Sequence, residues 1–152
     1  GLQTIWNPAP AQLVTRDFLE LVDVLTPNET ELQILLDLAP DDQTPDEELA
    51  KRLLDMGAGA VVATLGQQGA MIVTSDGVDR VPAVSGVEVV DVTGAGDSFN
   101  AGLAVGLGQG MPLRDAVAQG VYAGGYAVQH LGVIDGLATC EQLVQFRQAH
   151  ST

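Results

Sequence analysis

The stretch that decides the fold is EVVDVTGAGDSFNAGLAVGL, residues 88–107. It predicts a β-strand over VEVVDV (87–92), a loop of three small residues, and a helix from about residue 96 to 108. Helix N-termini attract anions because free N–H groups and the macrodipole converge there, and glycines let a phosphate approach the backbone closely. The stretch therefore predicts an anion site at Gly94, Ala95 and Gly96, with the carboxylate of Asp97 beside it.

Strands and helices alternate along the rest of the chain. Apolar runs predict short strands at 3–6 and 23–26, a buried strand at 60–66, and a hairpin over 70–84 that turns at Asp76 and Gly77. Helical spacing of apolar residues predicts helices at 16–22, 28–38, 44–57, 112–130 and 139–148. The alternation predicts an α/β layer architecture with a largely parallel sheet.

The helix starts carry capping signals. The predicted N-cap residues are Thr15, Asn28, Thr44 and Thr139, and the last three form capping boxes with Glu31, Glu47 and Gln142. For Asn28 and Glu31, the capping box is a complete structural explanation that needs no ligand.

Composition and charge limit the function classes. A chain of 152 residues with 46% apolar and 17% charged residues predicts one globular domain. The net charge of −14 disfavours nucleic acid and anionic membranes as partners, so a bound phosphate has to be held by backbone and metal. The single Cys140 excludes an internal disulfide, and no apolar run is long enough to span a bilayer, which predicts a cytoplasmic protein. The start at Gly1 predicts an internal starting point.

Three polar or glycine-rich loops follow predicted strands: TPNETE (26–31), TLGQQG (64–69) and DVTGAGD (91–97). Ligands of such sheets bind where strands pass into helices, so these loops are expected to meet at one edge. The glycines alone also fit simple tight turns. They match neither the phosphate loop with Lys-Ser/Thr nor the dinucleotide fingerprint, which needs glycine where Phe99 stands, so a hydride-transfer enzyme is disfavoured.

In this order and spacing, LTPNETE, TLGQQGA and DVTGAGDSFNAGL resemble the ribokinase-like family of sugar kinases, also called the PfkB family. The resemblance covers nearly the whole chain but only half of the family's fold. It implies a ribokinase-like three-layer α/β fold, of which residues 1–152 form a single nucleotide-binding, C-terminal half. The resemblance implies that the N-terminal half, with the sugar-binding residues and the β-sheet lid, lies outside this sequence.

The resemblance also implies roles for individual residues. Asp97 matches the catalytic base, which accepts the proton of the sugar hydroxyl as it attacks the γ-phosphate of ATP. Gly94, Ala95 and Gly96 match the anion hole, whose backbone dipoles stabilise the transferring phosphoryl group. The competing explanation of Asp97 is a plain helix cap.

Further implied positions concern the nucleotide and its metal. Asn28 and Glu31 match a motif that organises the phosphates and Mg²⁺ through water. The remaining nucleotide-binding positions are the turn residues Thr64, Gly66 and Gly69, and Val121, which stands where relatives often place Asn or His against adenine.

A monovalent-cation site, for K⁺, is implied beside the anion hole. Its matching positions are Asp91 and Thr93, with backbone carbonyls near Ala127, His130 and Gly132. Gly136 stands where the family usually has serine. Asp91 also fits an ordinary polar strand end, and His130 an ordinary helix-end histidine.

Glycines interrupt the predicted helix at 112–130. Gly120, Gly124 and Gly125 each cost about 1 kcal/mol relative to alanine, so they favour close approach, either of another helix or of a nucleotide.

Three functions remain open from the sequence. The first is ATP-dependent phosphoryl transfer to a sugar hydroxyl, with an N-terminal half supplied elsewhere. The second is a non-catalytic nucleotide-binding remnant, and the third an inert truncated fragment. The sugar and the oligomeric state depend on the absent half.

Overall fold

The computed structural model describes residues 2–150. The chain forms two compact units. The first unit comprises Gly1–Gly66 with Ala70–Arg80, and the second comprises Gln67–Gly69 with Val81–Thr152. The prediction of a single domain stays a prediction.

The first unit is built on the sheet. Its five strands are β1 (Ile5–Trp6), β2 (Val24–Leu25), β3 (Val61–Thr64), β4 (Ala70–Thr74) and β5 (Gly77–Val81), in spatial order β1-β2-β3-β4-β5. The pairs β1–β2 and β2–β3 are parallel, whereas β3–β4 is antiparallel. The α/β class is confirmed, and β4 and β5 form the predicted hairpin. Its turn is at Ser75 and Asp76 rather than at Asp76 and Gly77, because Gly77 already begins β5.

Three helices of this unit cover the sheet: α1 (Arg16–Leu19), α2 (Glu29–Leu35) and α3 (Asp46–Asp55). Fully buried leucines from α1, α2 and α3 pack with strand residues into one core, which includes Leu19, Leu32, Leu49, Leu53 and Val61. Helix α1 is shorter than predicted because the chain turns at residues 20 and 21 to reach β2.

The predicted cap at Thr44 is wrong. Pro45 occupies the N-cap of α3, and no side chain caps the helix. The Thr44 amide instead donates to Asp42 Oδ1 at 2.8 Å, and Glu47 accepts from Lys51 Nζ at 2.7 Å. Thr15 is the N-cap of α1, but its side chain makes no cap hydrogen bond.

The second unit contains α4 (Ala95–Gly108), α5 (Leu113–Ala127) and α6 (Cys140–His150), close to their predicted ranges. The capping box before α6 is present, with the Gln142 amide donating to Thr139 Oγ1 at 3.2 Å. Helices α4 and α5 pack closely through glycines: a Cβ on Gly102 would lie 3.0 Å from Ala123 Cβ, and one on Gly106 2.9 Å from Ala116 Cα.

The strand predicted at 87–92 is wrong. These residues form no strand, and Val89, Val90 and Val92 are exposed. The Val90 and Asp91 amides both donate to the Val128 carbonyl, at 2.7 and 3.1 Å. The segment is therefore fixed to the end of α5 rather than to a sheet, although its β-branched residues favour a strand.

Candidate phosphoryl-transfer site

The first turn of α4 is entered through a left-handed residue. Gly94 is the N-cap, with φ of 79°, and a Cβ there would lie 3.0 Å from Val133 Cγ1. The Ala95 amide donates to the Val92 carbonyl at 3.2 Å, and the Ser98 amide donates to the Gly94 carbonyl at 2.9 Å. The left-handed conformation favours glycine at this position, and the Val133 side chain leaves little room for a Cβ.

The amides of Gly96 and Asp97 remain open, since neither donates to a backbone carbonyl within residues 2–150. Both residues are exposed, and no atom lies within 4 Å of the position where Gly96 would carry a Cβ. Two amides at a helix start therefore face free space, as an anion site requires.

Asp97 is the third residue of α4, not its cap, because Gly94 holds the cap position. Its carboxylate makes no hydrogen bond to another residue of the described part of the chain. The explanation of Asp97 as a plain cap is thus wrong, and an exposed carboxylate stands beside the open amides.

One residue of this turn, Asn100, was not predicted from the sequence as part of the site. Its Nδ2 donates to the Gly96 carbonyl at 2.9 Å, one helical turn back, and thereby fixes the peptide that follows Gly96. The signal available in the sequence was the spacing of four residues, at which a side chain can reach a helical carbonyl.

The glycines of α5 lie behind the same turn. A Cβ on Gly124 would lie 3.2 Å from the Ala95 carbonyl oxygen, and one on Gly120 would lie 2.8 Å from the Phe99 carbonyl oxygen. A Cβ on Gly125 would lie 3.1 Å from Val84 Cγ2. Close packing inside the protein accounts for all three glycines. Val121, the predicted adenine neighbour, is buried on the same helix, with 9% of its surface exposed.

Asp91 connects the segment before the anion site to the loop after α5. Its Oδ1 accepts from the Thr93 amide at 2.9 Å and from the Thr93 hydroxyl at 2.7 Å, and its Oδ2 accepts from the Gly132 amide at 2.9 Å. These bonds hold the pKa of the Asp91 carboxyl below its usual value, those from Thr93 most strongly. No local pattern pointed to the bond with Gly132, which lies 41 residues away.

The other positions predicted for a cation lie at the end of α5. The Ala127 carbonyl accepts from the His130 amide at 3.1 Å, and His130 Nδ1 lies 3.0 Å from the Tyr126 carbonyl oxygen. Gly136 is buried, and a Cβ there would lie 3.1 Å from the Ala127 oxygen. The structure therefore brings Asp91, Thr93 and Gly132 together by direct bonds, whereas the Ala127 carbonyl already has a partner.

In the first unit, Asn28 and Glu31 form the predicted capping box of α2. Asn28 Oδ1 accepts from the Glu31 amide at 2.9 Å, and Glu31 Oε2 accepts from the Asn28 amide at 2.8 Å. Burial raises the pKa of the Glu31 carboxyl, and the hydrogen bond from Asn28 offsets part of this effect. The cap leaves Glu31 Oε1 without a hydrogen bond to the described residues.

Thr64 lies beside this cap. Residues 28 and 64 form an isolated parallel bridge, and the Thr64 amide donates to the Pro27 carbonyl at 2.9 Å. Gly66, with φ of 51°, has open space where a Cβ would lie. Two of the three predicted loops, 26–31 and 64–66, are thus neighbours within this unit.

Gly69 belongs to the second unit and has a structural reason to be glycine. Its φ is 88°, and a Cβ would lie 2.1 Å from the Val81 carbonyl oxygen and 2.5 Å from the Ala83 amide nitrogen. Packing against this backbone explains Gly69 without a nucleotide.

Comparison with known proteins defines the class. The model of the pfkB family of carbohydrate kinases matches residues 2–140. The chain belongs to this family, as the three loop motifs implied.

Within the family, the relatives it matches include ribokinases, deoxyribokinases and an ATP-dependent 6-phosphofructokinase. The segments WNPAPA and DFLELVDVLTPNETE resemble ribokinases. The chain is 32% identical over 146 residues to the ribokinase of Haemophilus influenzae, covering 96% of this chain and 47% of that protein. The crystal structure of ribokinase from Thermotoga maritima matches with a TM-score of 0.89 at 32% identity, over 96% of this chain and 49% of that one.

A third match is the Escherichia coli protein assigned as Ribokinase II, solved in complex with ATP and Mg²⁺. It has a TM-score of 0.75 and 28% identity, over 89% of this chain and 42% of that chain. The chain thus spans about half the length of the relatives it matches.

Among the described residues, no helix combines the length and apolarity needed to cross a membrane, and no group of three or more His, Cys, Asp or Glu side chains could hold a metal ion.

Proposed function

We propose that this chain is the nucleotide-binding, C-terminal half of an ATP-dependent sugar kinase. In this proposal it transfers the γ-phosphoryl group of ATP to a sugar hydroxyl, and another half of the protein supplies the sugar site and lid. Family membership and the similarity to ribokinases support the reaction class.

One observation carries the proposal: the open first turn of α4. The unbonded amides of Gly96 and Asp97 are suited to stabilise negative charge on a phosphoryl group in transfer. The Asp97 carboxylate, exposed and without a hydrogen bond to the described residues, is free to accept the proton of an attacking hydroxyl. Gly94 and Ala95 complete the anion hole by setting the direction in which this turn begins.

The first unit would serve the phosphates and the metal. Glu31 Oε1 is an oxygen ligand of the type that Mg²⁺ prefers, directly or through water, while Oε2 stays in the cap. Cap and metal binding are therefore compatible in one residue. Magnesium, when bound, supplies positive charge that neutralises the phosphates. The chain itself supplies little positive charge, because it has six basic residues.

Thr64 and Gly66 would contact the nucleotide, because they lie beside this cap and Gly66 leaves its turn open. Val121 is the remaining proposed nucleotide contact. Gly69 would act by shaping the turn, because its own contacts are to backbone.

We also propose a K⁺ site at Asp91 and Thr93 with carbonyls near Ala127, His130 and Gly132. Potassium is expected to raise activity or nucleotide affinity more than sodium at equal ionic strength. An identical response to both ions would remove this site from the proposal.

The test is phosphoryl transfer from labelled ATP to a panel of sugars, measured with the full-length protein and with the 152-residue chain alone. Labelled sugar phosphate from the full-length protein, lost with Asp97→Asn, is the expected result. Nucleotide binding without transfer to any sugar would instead favour the non-catalytic remnant. A folded protein that binds neither MgATP nor MgADP at millimolar concentration would favour the inert fragment.

A further inference from the structure

The segment before the anion hole, residues 90–94, is joined to the segment after α5, residues 128–133, at three points. The Val90 and Asp91 amides donate to the Val128 carbonyl, Asp91 Oδ2 accepts from the Gly132 amide, and Gly94 approaches the Val133 side chain. Of these contacts, only the hydrogen bond between Asp91 Oδ2 and the Gly132 amide uses a polar side chain.

We infer that Asp91 is a positioning residue for phosphoryl transfer: its carboxylate joins Thr93 to Gly132 and thereby fixes the direction in which Gly94 enters α4. The inference rests on the proposed function and deepens it. It gives Asp91 a role that needs no bound cation, because both carboxylate oxygens already accept hydrogen bonds from the protein.

The geometry explains why this position matters. Asp91 lies three residues before Gly94, and Thr93, which gives Oδ1 both its amide and its hydroxyl, immediately precedes that glycine. Gly94 has a left-handed backbone that sets where the Gly96 and Asp97 amides point. Effects of misplacing such donors by about 1 Å reach roughly 100-fold in rate.

A carboxylate is required for this arrangement because it only accepts hydrogen bonds. In Asp91→Asn, one oxygen can still accept from Thr93, but the amide nitrogen would face the Gly132 N–H, and two donors repel. The link to residues 130–133 is then lost while the size of the side chain is unchanged. The lowered pKa of Asp91 agrees with a carboxylate held by several donors.

The chain offers a matched control in Asp135. It lies in the loop after Gly132, is exposed, and has no hydrogen bond or ion pair to the described residues. Asp135→Asn therefore removes the same charge from the same region without touching the link.

The experiment makes two kinds of measurement on the full-length protein. The first is amide hydrogen exchange at residues 92–97 and 130–133, and the second is kcat and KM for phosphoryl transfer at low and saturating KCl. In Asp91→Asn we expect the Ala95 and Gly132 amides, which donate hydrogen bonds in the wild type, to exchange at least about 10-fold faster, because the fixed loop opens. We expect kcat to fall about 10- to 100-fold, KM for the sugar to change less than about 3-fold, and KCl to leave the loss of kcat in place. Asp135→Asn should match the wild type in every readout.

Unchanged exchange of the Ala95 and Gly132 amides in Asp91→Asn would overturn the inference, and so would full recovery of kcat at high KCl, since Asp91 would then act as a cation ligand only. If the unmodified protein phosphorylates no sugar, the proposed function fails. The exchange data then still decide whether Asp91 holds the loop.

Discussion

Alanine at Gly120 tests whether the α5 glycines serve helix packing or the nucleotide. A Cβ there would lie 2.8 Å from the Phe99 carbonyl oxygen and 3.0 Å from two atoms of the Phe99 ring. Because one of these contacts is to the backbone of α4, rotation of a side chain cannot relieve it.

The size of the effect follows from two opposing terms. Replacing a helical glycine by alanine gains up to about 1 kcal/mol in helix propensity. Forcing an extra carbon into a packed contact costs about 1 to 3 kcal/mol. Gly120→Ala is therefore expected to lower the free energy of unfolding by up to about 2 kcal/mol. Gly108→Ala, whose Cβ enters open space in α4, is expected to leave it unchanged or raise it by up to about 1 kcal/mol.

The assay is urea denaturation followed by circular dichroism, with hydrogen exchange of α4 and α5 amides to assign any loss to the second unit. Comparing Gly120→Ala with Gly108→Ala largely cancels the propensity term, which leaves a packing difference of about 1 to 3 kcal/mol. A Gly120→Ala protein as stable as Gly108→Ala, but with weakened ATP binding, would refute the packing explanation and favour a nucleotide contact.

Three more predictions concern single residues. Gly69→Ala should destabilise the protein by more than about 3 kcal/mol in urea denaturation, because its Cβ would lie 2.1 Å from the Val81 carbonyl oxygen. A variant as stable as the wild type would contradict the close packing of Gly69 against this backbone. Asn28→Ala should cost about 1 kcal/mol, while Asn28→Asp keeps the acceptor for the Glu31 amide and costs less; equal losses in thermal denaturation would count against the capping box. Since the pKa of Asp91 is lowered by folding, its stabilisation is present above its unfolded pKa of about 4 and is lost as pH falls through the lower folded value. The difference in unfolding free energy between wild type and Asp91→Asn should therefore shrink from pH 5 to pH 3. A difference that grows towards pH 3 would contradict the lowered pKa of Asp91.

Local patterns predicted the features that depend on neighbouring residues. The capping box of Asn28 and Glu31 and the start of α4 after Gly94 each rest on a few adjacent positions, and the structure confirms both. The buried strand containing Val61 was predictable because a run of β-branched apolar residues suits a strand covered on both faces.

Features that depend on distant contacts could not be predicted from local patterns, although the family resemblance placed Asp91, Thr93 and Gly132 in one site. The valines at 89, 90 and 92 favour a strand locally, but their segment bonds to Val128 instead. The link from Asp91 to Gly132 joins positions far apart in the chain and leaves no periodic signal. The glycine at position 69 resembles a nucleotide turn in sequence, and only the structure shows the backbone packed against it.

The most direct test of the central claim is the turnover of Asp97→Asn in the full-length protein, with Asp115→Asn as the control. Asp97 is the third residue of α4, Asp115 is the third residue of α5, and both are exposed. The two substitutions therefore remove the same charge from equivalent helix positions. Because the asparagine cannot take the hydroxyl proton, Asp97→Asn should lower kcat by about 10²- to 10⁴-fold, or about 3 to 5 kcal/mol of barrier. Its ATP affinity and melting temperature should stay near those of Asp115→Asn, which should keep full turnover. A near-normal kcat in Asp97→Asn would contradict the assignment of Asp97 as the base.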